Sequence, residues 1–506
     1  MITAFIITAA LATTLDVDVQ SLAALSGEPS HVSAAGITRD ESPILTLENA
    51  GAFDPAATGR RLVLVGGLDG DARSVDAVVA AVRWFKTRAS AAMRREWTVS
   101  ALPSANFEST DKQSLARWIT FQAPDLVVTI GGAWDAVTGV PYRNFSASDI
   151  AAALPKLLAS RIERSALHGE IVARVQREPL AIARLLARRY PETPSISYIP
   201  AVAWTQTLRL AAVTSDESLR EKVRRQIQPW MSGEKKLFGD RIQLTSVAGT
   251  MIFAELAAAG DTTALALAEE AVPLAAARKP TGIAEYSQGW TDDMFMAASV
   301  LARASARPNH RAEIDNAARL LVDYAARLQQ PGGLFNHASD APAAWGRGNG
   351  FAAFGLMETL DAMSAMSAPH ASRAKLLDIY RRQMNAVRAQ QAPDGMWRQI
   401  IDAPGAYREE TATAMLMTAM ARGIRLGWLD RSYRPAVQRA WRALAAHVVD
   451  DGTLVDVCAS TGGGTTRRYY FDRPAITGAD DRGGAMALLA AMEMHGLAQS
   501  GQSTRQ

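Results

Sequence analysis

The sequence of 506 residues contains a single cysteine, Cys458. One cysteine excludes an internal disulfide framework and any cysteine-based zinc site. The seven histidines never fall in the HxH or HExxH spacing that many protein metal sites use. The sequence therefore predicts neither a metal nor a cofactor.

Clusters of basic residues and long apolar runs are also missing. The net charge is +3 from 54 basic and 51 acidic residues, and the arginines are scattered along the chain. Because phosphate backbones are bound by clustered cations, nucleic acid is not an expected partner. After the N-terminus, no stretch reaches the ~20 apolar residues that span a bilayer, so no membrane partner is expected. The length favours two domains.

The N-terminus resembles a signal peptide within residues 1–25. Met1 to Ala12 is apolar, and Ala10-Leu11-Ala12 fits a small-x-small cleavage pattern. The usual basic region is missing, since no Lys or Arg precedes Arg39. A mis-chosen start codon or a buried strand would give the same pattern. We expect a periplasmic or secreted protein, with a cytoplasmic location as the alternative.

Residues 58–140 show the alternation of a small α/β domain. Continuous apolar runs predict strands at 62–65, 97–99 and 124–132. Helical spacing of apolar residues predicts helices at 74–87 and 111–121. This βαβαβ order predicts a small parallel sheet.

A glycine-rich loop, residues 66–71, follows the first of these strands. It lacks the Lys-Ser/Thr of a P-loop and the GxGxxG spacing of a dinucleotide site. The segment weakly resembles the Gly-Gly-x-His-Gly-x-Glu loop of zinc carboxypeptidases. Asp69 stands at the His position and Ala72 at the Glu position, so the resemblance implies a degenerate copy without the metal ligands. We expect a structural domain here.

From about residue 150 the pattern changes to successive helices punctuated by a repeated glycine turn. The turn glycines are Gly333, Gly395 and Gly452, which are 62 and 57 residues apart. A period of this length holds one helical hairpin with its loops, so the repeat unit is a pair of helices.

The two helices of each pair differ in composition. Residues 318–328 and 376–389 are rich in arginine and apolar on one side only, as in an outer helix. Residues 351–363, 411–421 and 484–494 are almost uncharged, as in a helix buried on most sides. We therefore predict a mainly α protein, in which an (α/α)6 barrel over 150–500 follows the small α/β domain. An open solenoid of helix pairs would show the same alternation.

Polar and aromatic motifs precede the inner helices and are expected to meet at one rim of the barrel. They lie at residues 290–296, 335–337, 345–351 and 407–412. Together they supply indole rings for stacking on sugars, carboxylates for proton transfer and an arginine for a carboxylate. This combination indicates a protein that handles carbohydrate.

These motifs, in this order, resemble those of the unsaturated rhamnogalacturonyl hydrolases and the related unsaturated glucuronyl hydrolases. The matching elements are Trp290-Thr291-Asp292, the turn that ends in His337, the run from Trp345 to Phe351, and Cys458 to Gly462. The resemblance covers roughly residues 230–495. It implies the barrel fold and a glycoside hydrolase acting on unsaturated uronyl oligosaccharides, such as pectin or polyuronide fragments.

The resemblance also implies roles for individual residues. Asp292 would protonate the C4=C5 enol ether and activate the water that adds at C5, and His337 would hydrogen-bond the reacting region. The substrate-binding set carried over from these motifs is Trp290, Asp293, Trp345, Arg347, Asn349, Phe351 and Glu410. Each has a plainer explanation: an aspartate at a helix start is often a cap, and buried arginines and tryptophans often serve packing alone.

Two departures from the family pattern keep other functions open. Phe351 replaces a tryptophan, and residues 243–249 lack the aspartate that the family carries on an earlier inner helix. A second acid would have to come from elsewhere, for example Asp240, Asp69 or Asp71. The alternatives are an ordinary glycosidase or polysaccharide lyase on the same toroid, or a non-catalytic glycan-binding pseudoenzyme.

The loops at the carboxyl ends of the predicted strands carry Asp69, Asp71 and Asp135. Such loops share one edge of a parallel sheet. This edge would either cover the barrel mouth or pack against the outer helices, and the sequence leaves both placements open.

Overall fold

A computed structural model describes residues 15–25, 29–49, 51, 53–105 and 112–503. The predicted signal-like segment at residues 1–12 lies outside the described residues. The chain divides into two compact units, with the division near residue 176; residues 392–396 and 403–407 group with the first unit. Within the described ranges, no helix is both long and apolar enough to cross a bilayer.

The first unit is built on a six-stranded sheet flanked by helices. Its strands are β1 His31–Ile37, β2 Pro43–Glu48, β3 Arg60–Val65, β4 Trp97–Leu102, β5 Leu126–Ile130 and β6 Tyr142–Phe145. Its helices are α1 at residues 15–24, α2 Ala72–Arg88, α3 Ala91–Glu96, α4 Lys112–Gln122, α5 Ile150–Ala159 and α6 Ala166–Val175.

The strand order is β1-β2-β4-β3-β5-β6. Strands β4, β3, β5 and β6 are parallel, whereas β1 pairs with β2 and β2 with β4 in the antiparallel sense. The predicted three strands are therefore confirmed, but the sheet is mixed rather than parallel. The sequence signal missed β1 (HVSAAGI), β2 (PILTLE) and β6 (YRNF) because none of them has a long continuous apolar run.

Both faces of the sheet are covered. In β3, Leu62 and Leu64 point into a core with α2 and α5, while Val63 and Val65 point into a second core with α4. This alternation follows from the two-residue period of a strand. A strand buried on both faces reads as a continuous apolar run, which explains why β3 was easy to recognise.

The second unit is almost entirely helical. Its helices are α7 Pro179–Arg189, α8 Tyr198–Thr214, α9 Glu217–Met231, α10 Leu244–Gly249, α11 Met251–Ala258, α12 Thr262–Ala276, α13 Asp292–Ala304, α14 Glu313–Leu328, α15 Gly346–Ser364, α16 Arg373–Ala389, α17 Glu410–Arg425, α18 Arg434–His447, α19 Arg467–Phe471 and α20 Asp481–Ser503. A two-stranded antiparallel sheet joins β7 Leu454–Cys458 to β8 Ala475–Gly478.

Two kinds of helix alternate in this unit, as the sequence predicted. Every residue of α17 from Glu410 to Ile424 is buried, whereas α14 and α16 are buried along one side only. Helix α13 packs on α15, α15 on α17, α17 on α20 and α20 on α8. Glycine permits the closest of these approaches, because a Cβ on Gly355 would lie 1.8 Å from the carbonyl oxygen of Met294.

The repeated turn has the same geometry at each of its three sites. Gly333, Gly395 and Gly452 have φ of 101°, 103° and 82°, which is left-handed backbone that favours glycine. In each turn the glycine N–H donates to the carbonyl of the residue three positions earlier. The N–H of that earlier residue donates in return to the carbonyl of the residue that follows the glycine. The turn repeat read from the sequence is therefore confirmed.

Candidate active site

Helix α13 begins with Asp292, whose side chain is 16% exposed. A carboxylate at the first turn of a helix is stabilised by the unpaired N–H groups and the positive dipole end there. The N-cap residue, Thr291, makes no side-chain capping bond, and the Asp292 carboxylate forms its hydrogen bond with His337 instead. Trp290, two residues earlier, is half-buried beside it.

The imidazole of His337 forms a hydrogen bond with the Asp292 carboxylate. Its Nε2 lies 3.1 Å from Oδ2 of Asp292, and its Nδ1 lies 2.8 Å from the hydroxyl of Tyr470. A backbone hydrogen bond also joins the segments that carry Asp292 and His337, because the N–H of Thr291 donates to the carbonyl of His337 at 3.0 Å. His337 is fully buried, so it contacts Asp292 rather than solvent.

Aromatic rings fix the orientation of the His337 imidazole. Its ring centroid lies 4.4 Å from that of Trp345, 5.3 Å from that of Trp290 and 5.7 Å from that of Tyr470. The Tyr470 hydroxyl also accepts the N–H of Gly464 at 3.1 Å. Sequence reasoning missed Tyr470; the only signal was a pair of tyrosines a few residues after a run of three glycines.

Asp293 lies in a separate buried cluster. Its carboxylate accepts from the hydroxyls of Ser287 and Tyr324 and from the N–H of Gly289. Burial raises the pKa of Asp293 to about 7, and the charge of Asp292 adds to the rise while the hydrogen bonds oppose it. The structure thus places Asp293 where it holds the turn that carries Trp290.

The Trp345–Phe351 motif lies beneath the site rather than at its surface. Trp345, Arg347, Asn349 and Phe351 are each at most 2% exposed. The Asn349 amide accepts from the N–H of Phe335 at 2.8 Å and donates to its carbonyl at 2.8 Å. It therefore holds the turn leading to His337.

Arg347 donates to two backbone carbonyls, Cys458 at 2.7 Å and Ala459 at 2.8 Å. Its guanidinium also lies over the ring of Trp345, 4.9 Å from the centroid. These contacts anchor the chain after β7, which continues to Tyr470. Phe351 packs against Tyr198 and Phe295, with centroids at 5.4 and 6.0 Å.

Two adjacent glutamates stand at the start of α17. Glu409 accepts from the N–H groups of Thr411, Ala412 and Cys458 at 3.1, 2.6 and 2.8 Å. Glu410 is fully buried, and neither of its carboxyl oxygens has a hydrogen-bond partner in the described part of the chain. Burial raises the pKa of Glu410 well above its usual range, and the charges of Glu409 and Asp456 raise it further.

The candidates for a second acid have other surroundings. Helix α10 carries Thr245 where the family pattern has its aspartate, and that helix has no acidic residue. Asp240 is exposed in the loop before α10. In the first unit Asp71 caps α2 by accepting from the N–H of Arg73 at 2.9 Å, and Asp69 accepts the N–H of Asp71 at 3.0 Å. Among the described residues, no three His, Cys, Asp or Glu side chains group as metal ligands.

Comparison with known proteins relates this chain to characterised hydrolases. An unsaturated 3S-rhamnoglycuronyl hydrolase of Formosa agariphila is 30% identical over 184 residues, which are 33% of this chain and 48% of that protein. The unsaturated rhamnogalacturonyl hydrolase YesR of Bacillus subtilis is 28% identical over 189 residues, 35% of this chain and 52% of that protein. The chain thus spans about half the length of these curated relatives.

Solved structures give the same assignment at the level of fold. A possible member of the GH105 family from Salmonella enterica has a TM-score of 0.57 and 19% identity, over 63% of this chain and 94% of that one. The model of Glycosyl Hydrolase Family 88 matches residues 180–498, which is well over half of the sequence. The chain therefore belongs to Glycosyl Hydrolase Family 88.

Proposed function

We propose that this protein is a glycoside hydrolase that removes a terminal unsaturated uronyl residue from acidic oligosaccharides. The observation that carries the proposal is the partly exposed carboxylate of Asp292, held by the buried pair His337 and Tyr470. The names of the two curated relatives, both unsaturated uronyl hydrolases, support the same substrate class.

We further infer that the second unit is a closed (α/α)6 barrel. Helices α13, α15, α17, α20 and α8 pack on one another in succession, and α10 packs on both α8 and α13. That succession returns to its starting helix, as six inner helices of a ring would. The outer members of the pairs are α7, α9, α12, α14, α16 and α18. The starts of the inner helices would then gather at one mouth, where Asp292 lies.

In the reaction proposed, Asp292 in its protonated form transfers a proton to C4 of the C4=C5 enol ether. The resulting cation at C5 takes up water, and the water proton returns to the Asp292 carboxylate. The C5 hemiketal then opens and collapses, which releases the aglycone. One carboxyl group serves both steps because it regains the proton that it gave, as general acid–base catalysis requires.

His337 and Tyr470 act as positioning residues in this scheme. The Tyr470 hydroxyl already accepts from Gly464, which leaves its own proton to donate to Nδ1 of His337. Nε2 of His337 then carries the imidazole proton and donates a hydrogen bond to the Asp292 carboxylate. This chain of bonds fixes the rotamer of Asp292, and the indole of Trp290, 5.3 Å from the His337 ring, would stack on the sugar.

Arg347 has a supporting role in the proposal. Its two terminal nitrogens are occupied by the carbonyls of Cys458 and Ala459, so it supplies positive charge from beneath the pocket while holding the 458–464 loop. The positive charge favours a uronate carboxylate at the mouth. The raised pKa of Glu410 disfavours a further negative charge at the start of α17.

The test is turnover of a panel of lyase-generated unsaturated oligouronides, followed by the loss of enol-ether absorbance in the ultraviolet. Wild-type protein should consume unsaturated uronides and leave saturated and neutral oligosaccharides intact. Asp292→Asn should lower the rate by roughly 10²- to 10⁴-fold, the usual cost of removing a general acid. Asp378→Asn, the same change on the exposed side of α16, is the matched control and should keep the wild-type rate.

A non-catalytic glycan-binding protein is the second candidate, favoured by the threonine at position 245 in place of the family's aspartate. That candidate predicts that wild type and Asp292→Asn bind unsaturated uronides equally and that neither consumes them. Turnover by the wild type that Asp292→Asn abolishes excludes it.

A further inference from the structure

Two adjoining cavities lie in the first unit, on either side of the loop at residues 160–165. The larger, about 620 Å³, is lined by Arg143, Arg161 and Arg164 together with Leu126 and Leu157. Its volume lies in the range of small-molecule binding sites, roughly 300–1,000 Å³.

The smaller cavity, about 340 Å³, is lined by Arg60, Arg161, Arg164 and Asp125. The two cavities share the loop residues from Arg161 to Arg164. We call the pair the arginine cleft, defined by Arg60, Arg143, Arg161 and Arg164.

The two carboxylates that line the cleft, Glu163 and Asp125, already have partners. Glu163 pairs with Arg161 at 2.7 Å. The Asp125 carboxylate is buried and accepts from the N–H groups of Arg61 and Ser165 at 2.9 and 2.8 Å, and Nδ1 of His168 lies 2.8 Å away. These carboxylates therefore do not neutralise the remaining arginines.

The other three arginines of the cleft have no carboxylate partner in the described ranges. Arg164 is exposed and has no hydrogen bond or ion pair there. Arg143 donates only to the carbonyl of its neighbour Tyr142, whereas Arg60 donates to the Ser160 carbonyl at a long 3.4 Å and lies over the ring of Trp97, 5.5 Å from the centroid. The cleft thus presents three cations without a paired anion, although they are far apart in the sequence.

A buried arginine adds to the positive potential. Arg61 is 6% exposed, and its Nη1 has no partner in the described chain. Burial lowers the pKa of Arg61 to about 10; the charge of Asp125 opposes this and the like charge of Arg164 adds to it. Arg61 therefore stays cationic at neutral pH, and its charge interacts with that of Arg164 at the cleft.

We propose that the arginine cleft binds the carboxylates of an acidic oligosaccharide, as a second carbohydrate site outside the helical unit. The planar guanidinium forms paired hydrogen bonds with carboxylates, and the apolar walls of Leu126, Leu157 and Ile162 suit the faces of sugar rings. The choice of a uronate chain rests on the proposed function, because an enzyme for polyuronide ends gains from holding the polymer. The site would bind saturated and unsaturated chains alike, since it contacts carboxylates rather than the enol ether.

The experiment is a titration of the full chain with a short saturated oligogalacturonate, followed by calorimetry at low and at physiological salt. Binding should weaken with salt, as expected for exposed charge pairs. The double variant Arg143→Glu/Arg164→Glu should raise Kd at least tenfold. The double variant Arg88→Glu/Arg95→Glu, at exposed positions outside both cavities, reverses the same total charge and should bind as the wild type does.

Each outcome bears on one proposal. No binding of the oligogalacturonate, equal Kd for wild type and the double variant, or equally tight binding of a neutral oligosaccharide or of inorganic phosphate would overturn the arginine cleft as a uronate site. Turnover of an unsaturated disaccharide by the wild type is measured separately. A chain that binds saturated oligogalacturonate through these arginines but does not consume the disaccharide refutes the proposed hydrolase and leaves the cleft standing.

Discussion

Two inner helices begin with a pair of acidic residues, and the two pairs have opposite chemistry. At the start of α13, Asp292 is partly exposed and bonded to a histidine, while Asp293 is buried among hydroxyl donors. At the start of α17, Glu409 is saturated with backbone N–H donors, while Glu410 is buried without partners.

The comparison teaches that burial and hydrogen-bond donors together, rather than its place on the helix, decide the use of a carboxylate. Donated hydrogen bonds favour the ionised form, and burial favours the neutral form. At Asp293 burial outweighs three donated hydrogen bonds, whereas Glu410 is buried with no donor in the described chain. Among these four residues only Asp292 combines exposure with a titratable partner. The other three are buried. Asp293 and Glu409 accept hydrogen bonds from neighbouring loops, and Glu410 has no hydrogen-bond partner in the described chain.

The largest expected difference is in turnover, between a variant of Asp292 on α13 and a variant of Glu410 on α17. We expect Asp292→Ala to lower turnover by roughly 10²- to 10⁴-fold because the proton donor is lost. Glu410→Ala, in contrast, should change turnover less than tenfold. Initial rates on one unsaturated disaccharide measure both; equal losses would mean that the two helix starts act as one catalytic unit.

Glu409→Gln should have the next largest effect, on stability. It removes the charge that three backbone N–H groups donate to, and such charged hydrogen bonds contribute about 1.5–3 kcal/mol each. We expect the free energy of unfolding to fall by about 3 kcal/mol, measured by denaturant titration. Glu221→Gln, exposed on α9, is the control that should leave it unchanged. A Glu409→Gln protein as stable as wild type would contradict the role of the cap.

Tyr470→Phe tests whether the hydrogen bond between Tyr470 and His337, which positions Asp292 on α13, contributes to turnover. The variant keeps the ring and loses the hydroxyl at 2.8 Å from His337. We expect kcat to fall about tenfold, the equivalent of one hydrogen bond of ~1.4 kcal/mol, with KM nearly unchanged. The pH profile of kcat should also shift, which a purely structural effect would not produce. Unchanged kcat and pH profile would remove Tyr470 from the site.

The smallest effect concerns pH and Asp293. Its pKa is raised from 3.8 to about 7, so between these values the folded state holds a proton that the unfolded state has lost. This group therefore makes the free energy of unfolding decrease as pH rises through that interval. Asp293→Asn should flatten that dependence, so that wild type exceeds the variant in stability by more at pH ~5 than at pH ~8. The control Asp378→Asn should keep the wild-type slope, and a slope unchanged in Asp293→Asn would show that Asp293 is ionised throughout.

Much of the fold could be predicted because the signals are local. Three turn glycines with positive φ, the one-sided outer helices and the fully buried inner ones follow from backbone sterics and from apolar periodicity. Strand β1 could not be predicted in this way, because its Ala-rich sequence gives no apolar run and it forms only by pairing with β2.

The candidate site was predicted in outline and not in its roles. The sequence motifs identified Asp292 and His337, and the structure joins them by a hydrogen bond. The motifs did not identify Tyr470, which lies 133 residues after His337 and contacts it only in the folded chain. Trp345, Asn349 and Phe351 were expected to contact substrate. All three side chains are buried, and their contact with sugar stays a prediction.

The sequence by itself determined the order of helices and turns and the membership in a hydrolase family, because periodicity, glycine conformations and short motifs are properties of neighbouring residues. Only the tertiary structure decided which of two adjacent carboxylates faces solvent, and which scattered arginines meet around one cleft. The physical reason is that burial and hydrogen-bond partners set the charge of a group, and both come from residues distant in the chain.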